Sequence, residues 1–278
     1  MIDGTSPKWA LIMERLRVTV QYETKKLLHE LTSKFYRTTA KSFSETRSAP
    51  WHGWPRVVDG LQERILAGCM TEPLRVLDVG CGNLRFEKYL VQRGIDFRAI
   101  CVDNCKALMN EALDEVKPWV QLRDVDVMSK LLDGSGLDFG VLSNFESFDL
   151  ICAFGFLHHV PSQESRDFLL RELGQMLAPR GLLVVSFWQF ARDPKISAKA
   201  QKVTEDAKRL YDLADLESGD YLLGWQQDES VFRYCHSFTD EEFSALSASL
   251  SPDLREVERF SADGRSGDLN RYVIWEKI

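Results

Sequence analysis

Short, continuous apolar runs alternate with apolar residues at helical spacing over most of this chain. The runs lie at 74–79, 97–102, 119–122, 148–154 and 182–188. Runs of this length without polar alternation are typical of strands that are buried on both faces, as in a parallel sheet. The intervening segments carry apolar residues three and four apart, which is the pattern of helices packed on such a sheet. The alternation therefore predicts a doubly wound, mostly parallel α/β sheet.

The pattern differs at both ends of the chain. Before the first run, helical spacing predicts helices at 9–34 and 56–68, so we interpret residues 1–70 as an N-terminal helical cap or lid. At the other end, 254–260 and 271–277 are two strand-like segments joined by a glycine-rich hairpin. A hairpin at this point adds one antiparallel strand to the sheet.

The remaining residues, 71–278, form the predicted sheet domain with two insertions. The stretch at about 128–147 is rich in glycine and serine, which favours an inserted surface loop. The stretch at 189–230 is polar, and we expect a helix at about 197–216 over the open ends of the strands.

The first strand runs directly into a glycine turn. Asp78 lies near the end of the apolar run, Gly80 and Gly82 follow the run, and a helix is predicted from near Leu84. Strand, glycine turn and helix together bind nucleotide-like cofactors at a strand end, where glycine lets the backbone approach the ligand. An acid beside the turn repels a pyrophosphate and favours a cationic amine, which S-adenosylmethionine (SAM) carries. The alternative is a glycine turn that holds no ligand.

A second acid lies in register with the first. Asp103 ends the second strand, 25 residues after Asp78, which is the spacing of a βαβ unit whose second acid binds a ribose. Beyond the third strand, Asp126 with Val127 suits an adenine, and Asp124 is the alternative. The predicted cofactor-binding residues are Asp78, Gly80, Cys81, Gly82, Asn83, Asp103, Asn104, Asp126, Val127, Ala153 and Phe154.

Composition narrows the class of protein further. The net charge of −7 gives no global basic signature for nucleic acid, although residues 1–64 carry 11 Lys/Arg against 7 Asp/Glu. The six cysteines are scattered without a Cys-x-x-Cys pair, so we predict free thiols and no metal site. No signal pattern and no run of membrane-spanning length is present, and we therefore expect a cytoplasmic protein with no membrane partner.

Several segments carry a resemblance to known families. The Asp-x-Gly-x-Gly spacing resembles the first motif of the class I SAM-dependent methyltransferases, which implies their Rossmann-like, seven-stranded sheet with SAM as cofactor. More discriminating are Phe-Ser-x-Thr-Arg at 43–47, Leu-His-His at 157–159 and Arg-Tyr-x-His at 233–236. These segments resemble the tRNA wobble-uridine carboxyl (carboxymethyluridine) methyltransferases over about residues 33–188 and 231–277.

The sequence departs from the family pattern at three points. Leu84 stands where many relatives have a third glycine, and we expect a local adjustment without loss of cofactor binding. The Trp-Pro element is split by residues 52–54, and Cys235 replaces an aromatic residue.

The resemblance implies methyl transfer from SAM to a carboxylate on a modified wobble uridine of tRNA, giving a methyl ester. It makes Arg47 and Arg233 the candidates for binding that carboxylate, because a planar guanidinium can donate two parallel hydrogen bonds to a carboxylate. It also implies that His158, His159 and His236 shape the pocket. Eukaryotic members act with a small zinc-binding activator subunit, which makes such a subunit a candidate partner.

Other interpretations stand beside these. Arg47 could pair with a surface acid, one of the paired histidines could pack on the sheet, and His236 could only tie its loop to the core. The runner-up function is a small-molecule O- or N-methyltransferase with a small acidic substrate, which the acidic charge balance favours. A third is a SAM-fold protein without catalysis, against which the intact Asp78 and Asp103 argue.

Overall fold

The computed structural model describes residues 20–110, 113–137, 145–226, 228–250 and 252–278. The strands are β1 Leu74–Val79, β2 Phe97–Asp103, β3 Val120–Asp124, β4 Phe148–Ala153, β5 Leu177–Trp188, β6 Asp220–Trp225, β7 Asp228–His236, β8 Leu254–Ala262 and β9 Asn270–Lys277. The helices are α1 Tyr22–Glu45, α2 Trp54–Leu66, α3 Arg85–Gln92, α4 Lys106–Asn110, α5 Leu113–Val116, α6 Val127–Asp133, α7 Gln163–Gln175, α8 Pro194–Tyr211 and α9 Asp240–Leu250, with short 3₁₀ turns at Leu157–His159 and Phe190–Arg192.

Seven strands form one sheet in the order β3-β2-β1-β4-β5-β9-β8. Strands β1 to β5 are parallel, and β9 is antiparallel to both of its neighbours. The predicted doubly wound, mostly parallel sheet with one antiparallel strand is confirmed. The strand order reverses between β1 and β4, and ligands of open α/β sheets bind at the carboxyl ends of the strands at such a point.

Both faces of the sheet are buried, which explains the continuous apolar runs. Leu74 and Val76 of β1 pack in one cluster with Phe97 and Trp54, while Leu77 packs in the cluster on the opposite face. All of these side chains are at most 2% exposed. Successive residues of a strand point to opposite faces, so a central strand needs apolar residues at consecutive positions.

Side-chain hydrogen bonds cap the starts of helices α7 and α9. The hydroxyl of Ser162 accepts a hydrogen bond from the Ser165 backbone at 3.3 Å at the start of α7. At the start of α9, the Thr239 backbone donates to the Glu242 carboxylate at 2.7 Å and the Glu242 backbone donates to the Thr239 hydroxyl at 3.4 Å. This reciprocal pair is a capping box.

Helix α1 differs from the predicted N-terminal helix. Residues 9–19 of that prediction lie outside the described residues, and the described helix continues past residue 34 to Glu45. The aromatic segment that begins at Phe35 is therefore helical, and Phe35 is buried completely. Within the described ranges, none of the helices combines the length and the apolar character needed to cross a bilayer.

The described residues of the two insertions include helices and strands. The first begins as helix α6 at Val127–Asp133, so it is not a plain loop. In the second, the expected helix lies earlier, at Pro194–Tyr211, and it packs on a two-stranded antiparallel sheet of β6 and β7 that we did not predict. Strand β7 escaped detection because it is buried on both sides: Tyr234 packs in one cluster with Leu222, and Cys235 packs in another.

Candidate functional site

A cavity of about 490 Å³ opens at the carboxyl ends of β1, β2 and β4. Its volume falls within the usual range for small-molecule sites of about 300–1,000 Å³. One wall comes from α1 and the segment that follows it, the floor comes from the turns after the strands, and the far side comes from the β6–β7 sheet and the β8–β9 hairpin. The predicted residues that line it are Arg47, Asp78, Gly80, Cys81, Gly82, Asn83, Asp103, Asn104, Asp126, Val127, Phe154, His158, His159 and Arg233.

The glycine turn after β1 has the geometry that the motif predicts. Gly80 has φ of +76°, and a Cβ on it would lie 2.6 Å from a ring carbon of Phe156, so only glycine fits there. Gly82 has φ of +54° and open space where a Cβ would point. Leu84, at the glycine-to-leucine departure, adopts the left-handed conformation with φ of 56° and is fully buried. Burial of the leucine side chain offsets the cost of that conformation, which is about 1–2 kcal/mol.

Asp103 is held by two backbone donors. Gly82 N–H donates to its Oδ2 at 3.0 Å and Cys105 N–H donates to its Oδ1 at 2.8 Å. Burial raises the pKa of this carboxyl group, and the backbone hydrogen bonds oppose the rise. Each carboxylate oxygen retains a lone pair after these bonds, so a diol can still be bound.

Asp78 and Glu87 form a buried pair of carboxyl groups under the turn. Asp78 is 3% exposed and accepts a long hydrogen bond from the Cys152 thiol at 3.5 Å, while Glu87 is fully buried and neither of its oxygens has a hydrogen-bond partner of normal geometry among the described residues. Burial raises the pKa of both groups, and the proximity of Glu87 raises the pKa of Asp78 further. Because Asp78 lines the cavity, an ammonium group bound there would favour its ionised carboxylate over the protonated form that burial favours.

Asp126 and Asp124, the two candidates for the adenine contact, have different surroundings. Asp126 lines the cavity and lies 2.9 Å from the His29 ring and 3.1 Å from the Asn104 amide nitrogen. Although burial acts to raise its pKa, hydrogen bonds from His29 and Ser129 lower the pKa of Asp126 to about 2. Asp124 is exposed and pairs with Lys106 at 2.7 Å, away from the cavity.

Two predicted residues lie elsewhere. Ala153 is fully buried on the opposite face of the sheet from Phe154 and does not line the cavity, because consecutive strand residues alternate between faces. His236 is also outside the lining: its two ring nitrogens lie 2.6 Å from Asp220 and 2.7 Å from Glu242. Its contacts tie β7 to the start of α9, which is the structural alternative considered for this residue.

The pKa of His236 agrees with that structural role. Burial and the nearby Arg166 act to lower it, but the hydrogen bonds with the two carboxylates prevail and raise the pKa above its ordinary value. A protonated imidazole donates from both nitrogens and so satisfies both acids.

Arg47 and Arg233 face the same cavity without a carboxylate partner among the described residues. Arg233 is 6% exposed, and its Nε has no hydrogen-bond partner. The guanidinium of Arg47 lies 3.6 Å from the centre of the Phe43 ring, and burial together with Arg233 lowers the pKa of Arg47 to about 10. Two guanidinium groups, one buried and one half-buried, that repel each other and have no acid partner in the described ranges form a site for an anion.

A directed chain of hydrogen bonds orients Arg233. The Nδ1 of His159 lies 2.7 Å from the Tyr234 carbonyl oxygen, which can only accept, so Nδ1 carries the proton. Its Nε2 then accepts from the Tyr36 hydroxyl at 2.8 Å. The Tyr36 oxygen is thereby free to accept from Arg233 Nη1 at 3.4 Å. Burial and Arg233 lower the pKa of His159 to about 3, so the ring stays neutral and the chain keeps its direction.

His158 remains available to a ligand. Its Nδ1 is buried with no hydrogen-bond partner in the described part of the chain, and burial followed by repulsion from His159 lowers its pKa well below the ordinary value. The ring lies 5.1 Å from that of Trp188, centre to centre. A neutral imidazole in this position can donate to or accept from a bound substrate.

Two groups of side chains have metal-ligand chemistry, although we predicted no metal. They are His158 with His159 and Cys235, and Glu217 with Asp220 and His236; in each group, the ligand atoms lie within 4.8 Å of one another. In the first, both nitrogens of His159 are engaged in the hydrogen bonds described above. In the second, Glu217 pairs with Arg166 at 2.9 Å and His236 lies between two acids.

Sequence reasoning missed several lining residues, among them His29, Tyr36, Arg85 and Trp188. His29 and Tyr36 lie seven residues apart on α1, which places them on one face of the helix. That spacing was a usable signal for a shared face, but it did not reveal that the face borders a cavity. Arg85 follows the glycine turn, and it donates to the Asn83 side chain at 3.1 Å and to the Ala49 carbonyl at 3.0 Å.

The fold agrees with comparisons to known proteins. The family described as "Methyltransferase domain" matches residues 41–247, which is most of the chain. Among solved structures, a SAM-dependent methyltransferase from Methanosarcina mazei superimposes with a TM-score of 0.55 at 18% identity, covering 77% of this chain and 97% of that one. The N-methyltransferase NodS of Bradyrhizobium japonicum, solved with S-adenosyl-L-homocysteine, gives a TM-score of 0.50 at 17% identity over 86% of this chain and 98% of its own.

Curated proteins with similar sequences carry methyltransferase names. A protein of Encephalitozoon cuniculi that bears a methyltransferase name is 25% identical over 74% of this chain and 79% of its own length. Human "Probable tRNA methyltransferase 9B" is 26% identical over 61% of this chain, and mouse tRNA (carboxymethyluridine(34)-5-O)-methyltransferase ALKBH8 is 29% identical over 58%. These matches span 31% of the human protein and 20% of the mouse protein.

The chain belongs to the methyltransferase domain family, and the protein is a SAM-dependent methyltransferase of class I. The residues present fit that cofactor. Asp78 offers a buried carboxyl group to an ammonium, Asp103 offers free lone pairs to a ribose, and Gly80 keeps the backbone turn narrow.

Proposed function

We propose that this enzyme methylates a carboxylate carried by a modified wobble uridine of tRNA, forming a methyl ester. The observation that carries the proposal is the pair Arg47 and Arg233, which face the cofactor cavity with no carboxylate partner among the described residues. A substrate carboxylate would supply the missing anion. A substrate amine in the same place would be repelled by both guanidinium groups.

The proposed chemistry asks little of the protein beyond positioning. SAM, when bound, supplies an electrophilic methyl group on a sulfonium. A carboxylate is ionised at neutral pH and is an adequate nucleophile, so no general base is required. The carboxylate oxygen gains the methyl group as the sulfonium–methyl bond breaks, and no proton moves. Arg47 and Arg233 would hold that oxygen in line, a proximity effect that contributes several kcal/mol.

The surrounding side chains support a planar, partly polar acceptor. Neutral His158 has an unused Nδ1 that can bond to a substrate oxygen or N–H group. Trp51 is half-buried at the cavity wall and can stack on a base, whereas Trp54 is 2% exposed and fills the core beneath it. Trp51 and Trp54 stack at 5.6 Å between ring centres, so the core tryptophan fixes the orientation of the outer one.

Two observations support an RNA substrate. The names of the human and mouse relatives concern tRNA, and we extend that substrate class to this chain as part of the proposal. The motifs at 43–47, 157–159 and 233–236 bring residues to one cavity, although they are far apart in sequence. An activator subunit stays a candidate partner that no contact in this chain requires.

The test is incubation of the purified protein with radiolabelled SAM and with tRNA from several sources, followed by digestion and analysis of labelled nucleosides. The expected product is a nucleoside whose label is released by mild alkali, because a methyl ester hydrolyses under those conditions. The same incubation with small carboxylic acids and amines examines the runner-up, a small-molecule methyltransferase. Label in a small metabolite and none in RNA would reject the tRNA proposal while leaving the methyltransferase assignment intact.

A further inference from the structure

Helix α1 carries a row of three cations on its solvent side. Lys34, Arg37 and Lys41 are all exposed, and none of them makes an ion pair or side-chain hydrogen bond with another residue in the described ranges. Their spacing of three and four residues places them on one side of the helix. At 1.5 Å per residue, the row is about 10 Å long.

This row lies in an acidic molecule whose cations are often paired. The net charge of the chain is −7, so an unpaired positive row is not part of a general excess of cations. Many of the other cations are paired, as with Arg75 and Asp149 at 2.7 Å or Lys88 and Glu115 at 2.6 Å. Solvated, unpaired cations in an acidic protein form a local anion-binding surface.

The same helix forms a wall of the cavity. Ser33, Tyr36 and Arg47 line the cavity, and Lys34 and Arg37 directly follow two of them in sequence. One residue turns the helix by about 100°, so the row lies beside the lining face and outside the cavity. A ligand that enters the cavity and extends past this wall would therefore meet Lys34, Arg37 and Lys41.

We infer that Lys34, Arg37 and Lys41 bind the phosphate backbone of the RNA whose modified base enters the cavity. The inference rests on the proposed function, since it needs an RNA substrate. A base read in a pocket is extruded from its neighbours, which leaves the flanking phosphates at the cavity mouth. Lys and Arg side chains there give affinity that is independent of sequence and weakens with salt.

A second row of the same kind offers a matched comparison. Lys195, Lys199 and Lys202 on α8 are also exposed and without an ion pair among the described residues. They have the same charge and nearly the same helical spacing as the row on α1. No residue of α8 lines the cavity, so this row should not lie along the path of the substrate backbone.

The experiment compares the wild type with two triple variants, Lys34→Gln with Arg37→Gln and Lys41→Gln, and Lys195→Gln with Lys199→Gln and Lys202→Gln. Binding of total tRNA is measured over a range of salt concentrations, with SAM affinity as the check that each variant is folded. Loss of three phosphate contacts should lower the slope of log affinity against log salt by about 2 to 3 for the α1 variant. We expect its tRNA affinity at low salt to fall at least tenfold and the α8 variant to match the wild type.

The outcomes separate this inference from the proposed function. Salt-dependent tRNA binding and methylation by the wild type, with an unchanged slope in the α1 variant, would overturn the inference alone. An equal loss in both variants would show a general charge effect and would also overturn it. Wild-type protein that neither binds nor methylates tRNA would reject the proposed function itself. Anionic phosphatidylserine vesicles are included: vesicle binding lost in the α1 variant, with tRNA binding intact, would reassign the row to a membrane surface.

Discussion

At the residue scale, the substrate side of the cavity is defined by the positive charges of Arg47 and Arg233, which have no carboxylate partner among the described residues. Arg47 rests on the Phe43 ring, and Arg233 is oriented by Tyr36, which is itself fixed by His159. The sequence nominated the two arginines and the histidine. It did not reveal Tyr36 as the link, because a tyrosine on a helix is more often a packing residue than a hydrogen-bond relay.

Arg47→Ala is expected to leave SAM affinity unchanged and to lower kcat/KM for the carboxylate acceptor about tenfold to a hundredfold. The physical reason is the loss of a charge-assisted hydrogen bond of about 1.5–3 kcal/mol to the acceptor. Steady-state methyl transfer and calorimetric SAM binding provide the two measurements. Arg171→Ala, at an exposed position of α7, is the control; a folded Arg47 variant with wild-type turnover would remove this arginine from the site.

Glu87→Gln is expected to change how SAM affinity depends on pH. Burial and mutual proximity raise the pKa of Asp78, so at low pH the pair holds a proton that the ammonium of SAM must displace. Affinity in the wild type should therefore rise with pH until the pair is ionised. With a neutral amide at position 87, the pKa of Asp78 falls and affinity should reach its plateau at lower pH.

Calorimetric titration of SAM from about pH 5.5 to pH 8.5 measures this shift. Glu115→Gln is a suitable control, because that carboxylate is 65% exposed and pairs with Lys88 at the surface. If SAM affinity reached its plateau at the same pH in the wild type and in Glu87→Gln, Glu87 would not influence the proton on Asp78.

At the element scale, the turn between β1 and α3 and helix α1 decide the shape of the site. The turn is pinned to β2, since Gly80 N–H donates to the Val102 carbonyl at 2.8 Å. Helix α1 is joined to the turn through Asn83, whose amide donates to the Ser44 hydroxyl at 2.9 Å and to the Arg47 carbonyl at 3.2 Å. The division into a cap at 1–70 and a sheet domain at 71–278 stays a prediction, although these bonds couple the two parts.

Gly80→Ala is expected to weaken SAM binding at least tenfold and to destabilise the fold by more than Gly134→Ala does. Both glycines have similar positive φ, +76° and +66°, so the backbone strain is alike at about 1–2 kcal/mol. Only at Gly80 would the new methyl group strike another side chain, the Phe156 ring at 2.6 Å.

Denaturant unfolding and SAM titration of both variants measure the difference. Equal losses of stability with equal SAM affinity would indicate that the Phe156 contact relaxes without disturbing the turn. In that case, the cofactor loop would be less constrained than its packing implies.

At the scale of the whole molecule, the site exists because strand ends from distant parts of the chain meet at one edge of the sheet. Strand β1 lies between β2 and β4, which places Asp78, Asp103 and Phe154 around the same opening. A ligand that bridges these elements binds only the folded state and therefore stabilises the whole domain.

SAM at about one hundred times its dissociation constant is expected to raise the free energy of unfolding by about 2.7 kcal/mol. Asp103→Ala should abolish most of this increment, because it removes the carboxylate at the tip of β2 that is held by Gly82 and Cys105. Asp124→Ala is the matched control, since Asp124 ends the neighbouring strand but is exposed and pairs with Lys106. Thermal unfolding with and without SAM measures each increment, and an undiminished increment in Asp103→Ala would place the cofactor elsewhere.

The sequence by itself determined the sheet domain and the cofactor edge. Continuous apolar runs can only be satisfied by strands buried on both faces, and acids and glycines after those runs must gather where parallel strands end. These signals are local, so β1 to β5, the hairpin of β8 and β9 and the positions of Asp78 and Asp103 could be read from spacing alone.

Only the tertiary structure decided the rest. Asp126 faces the cavity while Asp124 does not, and Ala153 faces away from it. His236 lies between two acids. The position of each of these side chains depends on how the elements pack and not on its neighbours in the sequence. Strand β7 has no alternating pattern, since α1 and α8 with their neighbours bury both of its sides. Arg47 and Arg233 likewise meet at the Phe43 ring only through packing between segments that are far apart in the chain.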